Sequence, residues 1–508
     1  MPPAAAAATE SFPAYFGSAA WLHEVLRQTP SWLASMVVHM VVLLLLALWY
    51  LPEQRAAGMR ELVIAPYDSQ REELDQLYEP LEDLNLEVAP TELFEVETSL
   101  APESLEVASV DDVASAVAKI ELTDMGVIPA PRSELLTDIG GFTGQAFTGR
   151  GEEARRQLVL ARGGSVASER AVAAALRWLA EHQMPDGGWS FAHHHAPQCD
   201  GRCRHPGNSA DARNAATGLA LLPFLGAGQT HRRGQYRRTV QNGLHFLVRQ
   251  MRVGSMGGSL HEGDRGNMYS HGIAAIALTE AYGMTQDRGL RGPAQEAINF
   301  IVHAQDPVGG GWRYDPRQPG DTSVVGWQVM ALKSGHLGYL QVPPVTVQNA
   351  SRFLDSVQYD DGTRYGYTSA SGGSQATTAI GVLSRMYLGW DRDHPTLEYG
   401  VRRLSEWGPS EHNFYYNYYA TQAMAHWDGE LWNRWNLEMR DYLVETQATE
   451  GHEAGSWFFP SSEGSADHGL GPGGRLYFTS MATMILEVYY RHLPLYTRHG
   501  VETEFPID

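Results

Sequence analysis

Six residues with metal-ligating or redox chemistry crowd into one short stretch of this 508-residue chain: His193, His194, His195, Cys199, Cys203 and His205. Thiolates and imidazoles together suit tetrahedral zinc, and a metal reading would draw on Cys199, Cys203 and His205. The Cys-x3-Cys spacing is not a standard zinc motif. The same two cysteines also allow one disulfide or two free thiols, and the pair Cys199–Cys203 is expected to be disulfide-bonded in preference to holding zinc. No other cofactor is called for.

A second set of candidates lies where inner helices are expected to begin: Asp211, His271, Asp321, Gln375, Tyr416 and Arg475. Helix N-termini favour anions, so Arg475 and His271 there would suit an acidic headgroup or a pyrophosphate. Asp321, His271 and Asp211 are the candidate catalytic groups; Asp321, His271, Arg475, Trp327 and Tyr416 are the candidate ligand contacts. Each has a plain structural reading beside it. Asp211 and Asp321 are ordinary N-caps, His271 suits a buried and satisfied histidine, and the aromatic run Phe414-Tyr415-Tyr416-Asn417-Tyr418-Tyr419 suits core packing as well as a pocket wall.

These residues are positioned by an internal repeat. A helix ending in Gln, an acidic residue, Gly and an aromatic occurs at Gln183-Met184-Pro185-Asp186-Gly187-Gly188-Trp189. It recurs from Gln305 to Trp312, at Gln358-Tyr359-Asp360-Asp361-Gly362 with Tyr365, and from Gln447 to Trp457, with degenerate forms at Gln250–Gly258 and Trp407–Phe414. Before each turn stands an amphipathic helix, as in Val172, Ala175, Leu176 and Leu179 with Arg170, Arg177 and Glu181 opposite. After each turn comes a helix apolar nearly all round, such as Ala215–Leu225, Gly272–Leu278, Val324–Leu332 and Phe478–Val488. One-sided helices belong outside and all-round apolar ones inside. Six such pairs predict an all-α fold, an (α/α)6 toroid of six helical hairpins over 163–496.

At this point the repeated Gln-x-x-Asp-Gly-x-Trp turns resemble those of the terpenoid cyclase and protein prenyltransferase superfamily, over about Glu169 to Tyr496. The nearest piece resembles the C-terminal half of squalene–hopene cyclases, where a Gly-Gly-Trp turn leads into an Asp-x-Asp-Asp-Thr-Ala helix start. Here Gly310-Gly311-Trp312 leads to Gln318-Pro319-Gly320-Asp321-Thr322-Ser323. The resemblance puts Asp321 at the last Asp and Thr322 at the Thr, with Gln318 for the first Asp and Gly320 for the middle one. In those cyclases the middle Asp protonates the polyene, and glycine has no proton to give. The Asp-x-Cys of the prenyltransferase zinc site and the reactive Cys of thioester domains are absent as well. The resemblance implies the toroid and an isoprenoid or other lipid-like ligand, without protonation-initiated cyclisation.

The rest of the chain reads as an attachment device. Residues 1–30 are low in complexity and expected to be poorly ordered. Ser31 to Leu51 is almost wholly apolar, with Trp32 at one end and Trp49-Tyr50 at the other; about 21 residues at about 1.5 Å each match a bilayer core. We expect a single-pass membrane anchor whose orientation the flanking Arg27, Arg55 and Arg60 do not fix. Residues 52–162 are expected to form an acidic, largely disordered linker, since 51–150 hold 21 Asp and Glu against 6 Lys and Arg. Residues 497–508 form a tail. The formal charge of −21 excludes a general nucleic-acid binder. Two other functions fit the toroid: an α/α-barrel hydrolase or lyase acting on glycans with mouth carboxylates, and a non-catalytic envelope scaffold.

Overall fold

The repeated turns are closed by side chains that donate to backbone carbonyls of the turn and of the helices beside it. In the computed structural model, which describes residues 147–460, 467–492 and 495–496, Gln305 Nε2 donates to Gly310 O (2.8 Å) and to Thr346 O (2.9 Å). Gln183 does the same to Gly187 O and Thr239 O, and Gln447 to Gly455 O and Ala171 O. The tryptophans serve the carbonyls of the preceding helix: Trp312 Nε1 donates to Ile301 O, Trp189 Nε1 to Leu179 O and Trp457 Nε1 to Leu443 O, all at 2.8 Å. Gly310 takes φ +81°, and a Cβ there would stand 2.2 Å from Asn349 O, so conformation and space both demand glycine.

Among the described residues there are fourteen α-helices. A short helix α1 (Glu152–Ala161) precedes six hairpins. The outer helices are α2 (Val166–Glu181), α4 (Arg237–Gln250), α6 (Arg288–Ala304), α8 (Pro344–Val357), α10 (Pro395–Trp407) and α12 (Gly429–Thr446). The inner ones are α3 (Arg213–Gly226), α5 (Gly263–Thr285), α7 (Thr322–Leu337), α9 (Gln375–Tyr387), α11 (Phe414–Trp427) and α13 (Leu470–Leu486), followed by α14 (Val488–Arg491). Two antiparallel two-stranded ribbons, β1 (Arg252–Gly254) with β2 (Gly257–Ser259) and β3 (Gln358–Tyr359) with β4 (Arg364–Tyr365), decorate the second and fourth turns.

Each inner helix touches the next, from α3 through α5, α7, α9, α11 and α13, and α13 returns to α3. The ring is therefore closed, and the expected (α/α)6 arrangement follows from the contacts themselves. From Asn214 to Gly226 every residue of α3 is buried, whereas α4 buries only Val240, Gly243, Leu244, Phe246 and Leu247. That contrast is the inner and outer patterning expected of two concentric layers. Closeness between inner helices depends on small residues: a Cβ on Gly218 would lie 2.8 Å from Ala274 Cα.

The seam between the last and first hairpins is sewn by polar contacts. Gln447 reaches Ala171 O, Arg475 N donates to His205 O (2.9 Å), and Asn208 N donates to Gly471 O (3.0 Å). Gln447→Ala is expected to cost about 1–2 kcal/mol by leaving partly buried carbonyls short of a donor; a urea-unfolding midpoint unchanged from the parent would contradict this role.

The folded unit starts earlier than the boundary at 163 that the sequence suggested. Phe147 is buried, a short 3-10 turn covers Thr148–Arg150, and α1 packs against α14, so 147–162 belong to the ring and not to the linker. The reason is Arg150, whose buried guanidinium enters the ring at the C-terminal ends of the inner helices. Among the described residues no helix is long and apolar enough to cross a membrane. The expected span at 31–51, the remainder of the linker and the tail at 497–508 lie outside them.

Candidate functional site

The inner helices begin around one mouth of the ring, and α7 supplies its most chemically interesting group. Asp321 is its N-cap: Oδ1 accepts from Val324 N (2.9 Å), which fixes the side chain against the helix end. Oδ2 is buried without a well-formed hydrogen bond, 3.8 Å from Arg313 Nε and near the Tyr367 hydroxyl. Burial raises the Asp321 pKa, opposed by the Val324 amide, the Tyr367 hydroxyl and Arg313. Arg313 Nε also lacks a hydrogen-bond partner. Its guanidinium lies 5.3 Å from the Tyr314 ring centre and 5.9 Å from that of Tyr367, whose hydroxyls meet at 2.8 Å. Half-buried Tyr269 and Tyr415 complete this side of the mouth. It is an aromatic bowl with one under-satisfied acceptor and one under-satisfied donor.

Deeper in, aromatic side chains of two inner helices meet across the bore. Trp327 of α7 stacks on Tyr418 of α11 with ring centres 5.6 Å apart and meets Tyr419 edge-on at 5.8 Å. Its Nε1 donates to Tyr415 Oη (3.0 Å), and Tyr418 Oη lies 3.9 Å from Met330 Sδ. Because α9 stands between α7 and α11 in the ring, these contacts span the bore. The far end is plugged by charge. Arg150 pairs with Glu280 at 2.8 Å, Arg491 with Glu280 at 2.9 Å and with Glu487 at 3.4 Å, all four side chains at most 5% exposed. Burial alone would raise the Glu280 pKa, but the two arginines hold it below the usual value. Burial drives Glu487 well above its usual value, against Arg491 and Arg150.

The other sequence candidates find structural work. His271 is fully buried and satisfied on both sides: Leu260 N donates to Nδ1 (3.0 Å), and Nε2 donates to Ala297 O (3.0 Å). Burial lowers its pKa to about 3, so it stays neutral and out of reach of a ligand. Asp211 is exposed and does not cap α3; Glu262 of the next hairpin accepts from Asn214 N and Ala215 N instead. Arg475 is not an open anion receptor, because its guanidinium pairs with Glu453 (2.9 Å) and bonds Arg204 O and Ser456 Oγ. Tyr416 faces away from the bore, donating to Gly408 O and packing edge-on against Trp435 of α12. Of the five ligand candidates, Asp321 lies at the mouth and Trp327 beneath it. The charged turn at Asp391–Pro395 lies far from this mouth and borders a cleft of about 490 Å³ near Trp427 and Asp428, at the other end of α11.

The cysteine loop departs from the preferred disulfide and takes one of the other forms open to it. Cys199 and Cys203 are free thiols rather than a disulfide. The histidines beside them are His182 and His452, not His205, whose ring stacks on Phe458 at 3.8 Å. His182 sits at the C-cap of α2 and His452 in the final turn, so neither stands at a metal-ligand spacing from the cysteines.

Nor do the carboxylates form a ready acid–base pair. Asp467 accepts from Phe414 N, Tyr415 N, Gly469 N and the Tyr477 hydroxyl, which commits it to capping α11 and bracing α13. Gly320 allows no acid in its place: a Cβ there would lie 2.7 Å from Gly311 Cα and 2.8 Å from the Phe353 ring.

No protein-family model matches the chain, and no curated protein matches it. Among solved structures it is similar to the type II terpene cyclase MstE from Scytonema at 13% identity and a TM-score of 0.42, over 64% of this chain and 97% of that one. It is also similar to a GH76 α-mannanase from Bacteroides thetaiotaomicron (11%, TM-score 0.41, 55% and 85%) and to an α-amylase from Clostridium perfringens (12%, TM-score 0.41, 63% and 97%). At these scores the likenesses assign neither activity nor substrate.

Proposed function

We propose that this chain is a membrane-tethered toroid that binds a lipid-like ligand without cyclising it, and that the ligand's polar end rests on the mouth formed by Asp321, Arg313, Tyr314 and Tyr367. The observation that carries the reading is the buried Asp321 Oδ2 beside an equally under-bonded Arg313 Nε, beneath paired tyrosine rings. Buried polar atoms left with only a long ion pair are costly, and a ligand with one donor and one acceptor would satisfy both. The rings offer an apolar face to the adjoining part of an isoprenoid or similar molecule. The Trp327 contacts with Tyr415, Tyr418 and Tyr419 beneath the mouth favour a ligand held at the rim, with its tail directed outward, over one swallowed whole. Anchoring through residues 31–51 would keep such a mouth close to a lipid source.

The test begins with the full chain purified in detergent and extracted with organic solvent for mass spectrometry. A polyprenyl or hopanoid-like lipid is expected at near-equal amount to protein. Asp321→Asn should reduce it by about tenfold or more through loss of a charge-assisted contact. Because asparagine caps as well as aspartate, stability should change by less than about 0.5 kcal/mol. An extract containing only bulk membrane lipid, in the same proportion for both proteins, would sink the reading. Incubation with squalene should yield no cyclised product. Gly320→Asp should not create one, since its side chain would collide with Gly311 and Phe353; turnover by either protein would refute the non-cyclase half of the proposal.

A further inference from the structure

The ring's seam holds a second site, distinct from the mouth. His182, Cys199, Cys203 and His452 each offer one ligand atom, and these four atoms all lie within 4.8 Å of one another. His182, Cys199 and Cys203 are buried, and the His452 side chain is 12% exposed. They come from the two ends of the ring: His182 closes α2, the cysteines lie on the loop that follows, and His452 belongs to the turn after α12.

We propose that these four side chains form a structural zinc site that locks the last hairpin to the first. Two thiolates and two imidazoles are the donor set zinc takes in closed tetrahedral sites. Bonds of about 2.3 Å to sulfur and 2.0–2.1 Å to nitrogen would set neighbouring donors about 3.3–3.8 Å apart. The observed spread calls for an inward shift of about 1 Å, within reach of side-chain rotation in a loop. One tautomer is already set. His182 Nδ1 donates to Trp178 O (2.6 Å) and its ring stacks on Trp178 at 3.8 Å, so Nε2 is left bare, buried and without a partner. His452 turns Nδ1 to Cys203 Sγ (3.1 Å), while its Nε2 stands 3.9 Å from Glu181 Oε2, beyond hydrogen-bond distance. Two thiolates would balance the dication, and the nearby Arg475 already has its counter-charge in Glu453. A Cys199–Cys203 disulfide would account for the sulfurs alone and leave the bare His182 nitrogen unexplained.

Metal content of the full chain, purified without chelator under mild reduction, tests this directly. About one zinc per chain is expected, falling below about a tenth in the double variant Cys199→Ser/His452→Gln and unchanged in His205→Gln. Should the double variant fail to fold, the parent protein still decides. Stripped and reloaded with cobalt(II), it should show the visible bands of tetrahedral cobalt and a thiolate-to-cobalt absorption in the near ultraviolet. Absence of those bands, a zinc content below about a tenth in the parent, zinc retained in a folded double variant, or a Cys199–Cys203 disulfide in the purified chain would each overturn the assignment.

Discussion

Replacing Glu280 by glutamine is expected to destabilise the ring by about 3–5 kcal/mol, a large share of the 5–15 kcal/mol by which domains are usually stable. Glu280 sits between Arg150 and Arg491, and removing its charge leaves two buried guanidinium groups with Glu487 as the remaining acid of the cluster. Glu487 is a poor substitute. Burial raises its pKa, and its Oε1 has no hydrogen-bond partner, so its charge is held less firmly than that of Glu280. Glu487→Gln should therefore cost much less than Glu280→Gln. Urea unfolding followed by helix signal at 222 nm ranks the two, and equal losses would show that the charges are shared differently.

The same pair gives opposite pH dependences. The folded pKa of Glu280 lies below its ordinary 4.5, so its contribution is complete above that value and fades as the pH falls towards the folded value. Glu487 is raised, so its contribution is present below 4.5 and is lost as the pH climbs through its higher folded value. Glu280→Gln should accordingly flatten the acid side of the stability profile. Glu487→Gln should flatten the opposite side.

Trp312→Ala is the second large effect, expected at about 3–5 kcal/mol from lost burial and the cavity left behind. The side chain is completely buried, and its Nε1 bonds Ile301 O at the end of α6. Trp312→Phe keeps most of the apolar area and loses only that bond, so about 1–3 kcal/mol is expected. Thermal unfolding separates the variants. Neither should change the amount of lipid bound per folded molecule, because Trp312 joins an outer helix to its turn and does not line the mouth. A specific loss of ligand with stability intact would move Trp312 from architecture to binding.

The contrast between Trp312 and the mouth shows what the sequence could reveal. The Gln, Gly and Trp of the well-formed turns were legible because a reversal between helices has carbonyls that need donors and a bend that needs glycine, wherever it occurs. Asp321 was legible as a cap for the same local reason. The facing of α11 was not. Its tyrosines at 415, 418 and 419 turn towards the bore and Tyr416 away, but a helix apolar on every side carries no phase to say so. Glu262 and Asp467, which cap helices belonging to a neighbouring hairpin, were hidden because the bond crosses between repeats. His452 left one faint trace. The last turn, from Gln447 to Trp457, is longer than that from Gln305 to Trp312, and the added residues include His452.

The seam also dictates the order in which the chain can be finished on the ribosome. Gln447 meets Ala171 across 276 positions, and Arg475 meets Arg204 across 271. Neighbouring hairpins can settle against each other as they emerge, but the face that α2 and α3 offer to α13 has no cover until nearly the whole chain has been made. A nascent chain stopped before residue 447 would be an open crescent with apolar flanks at both ends, a shape prone to joining with another of its kind. The step that completes the circle is therefore also the one that ends its exposure to aggregation.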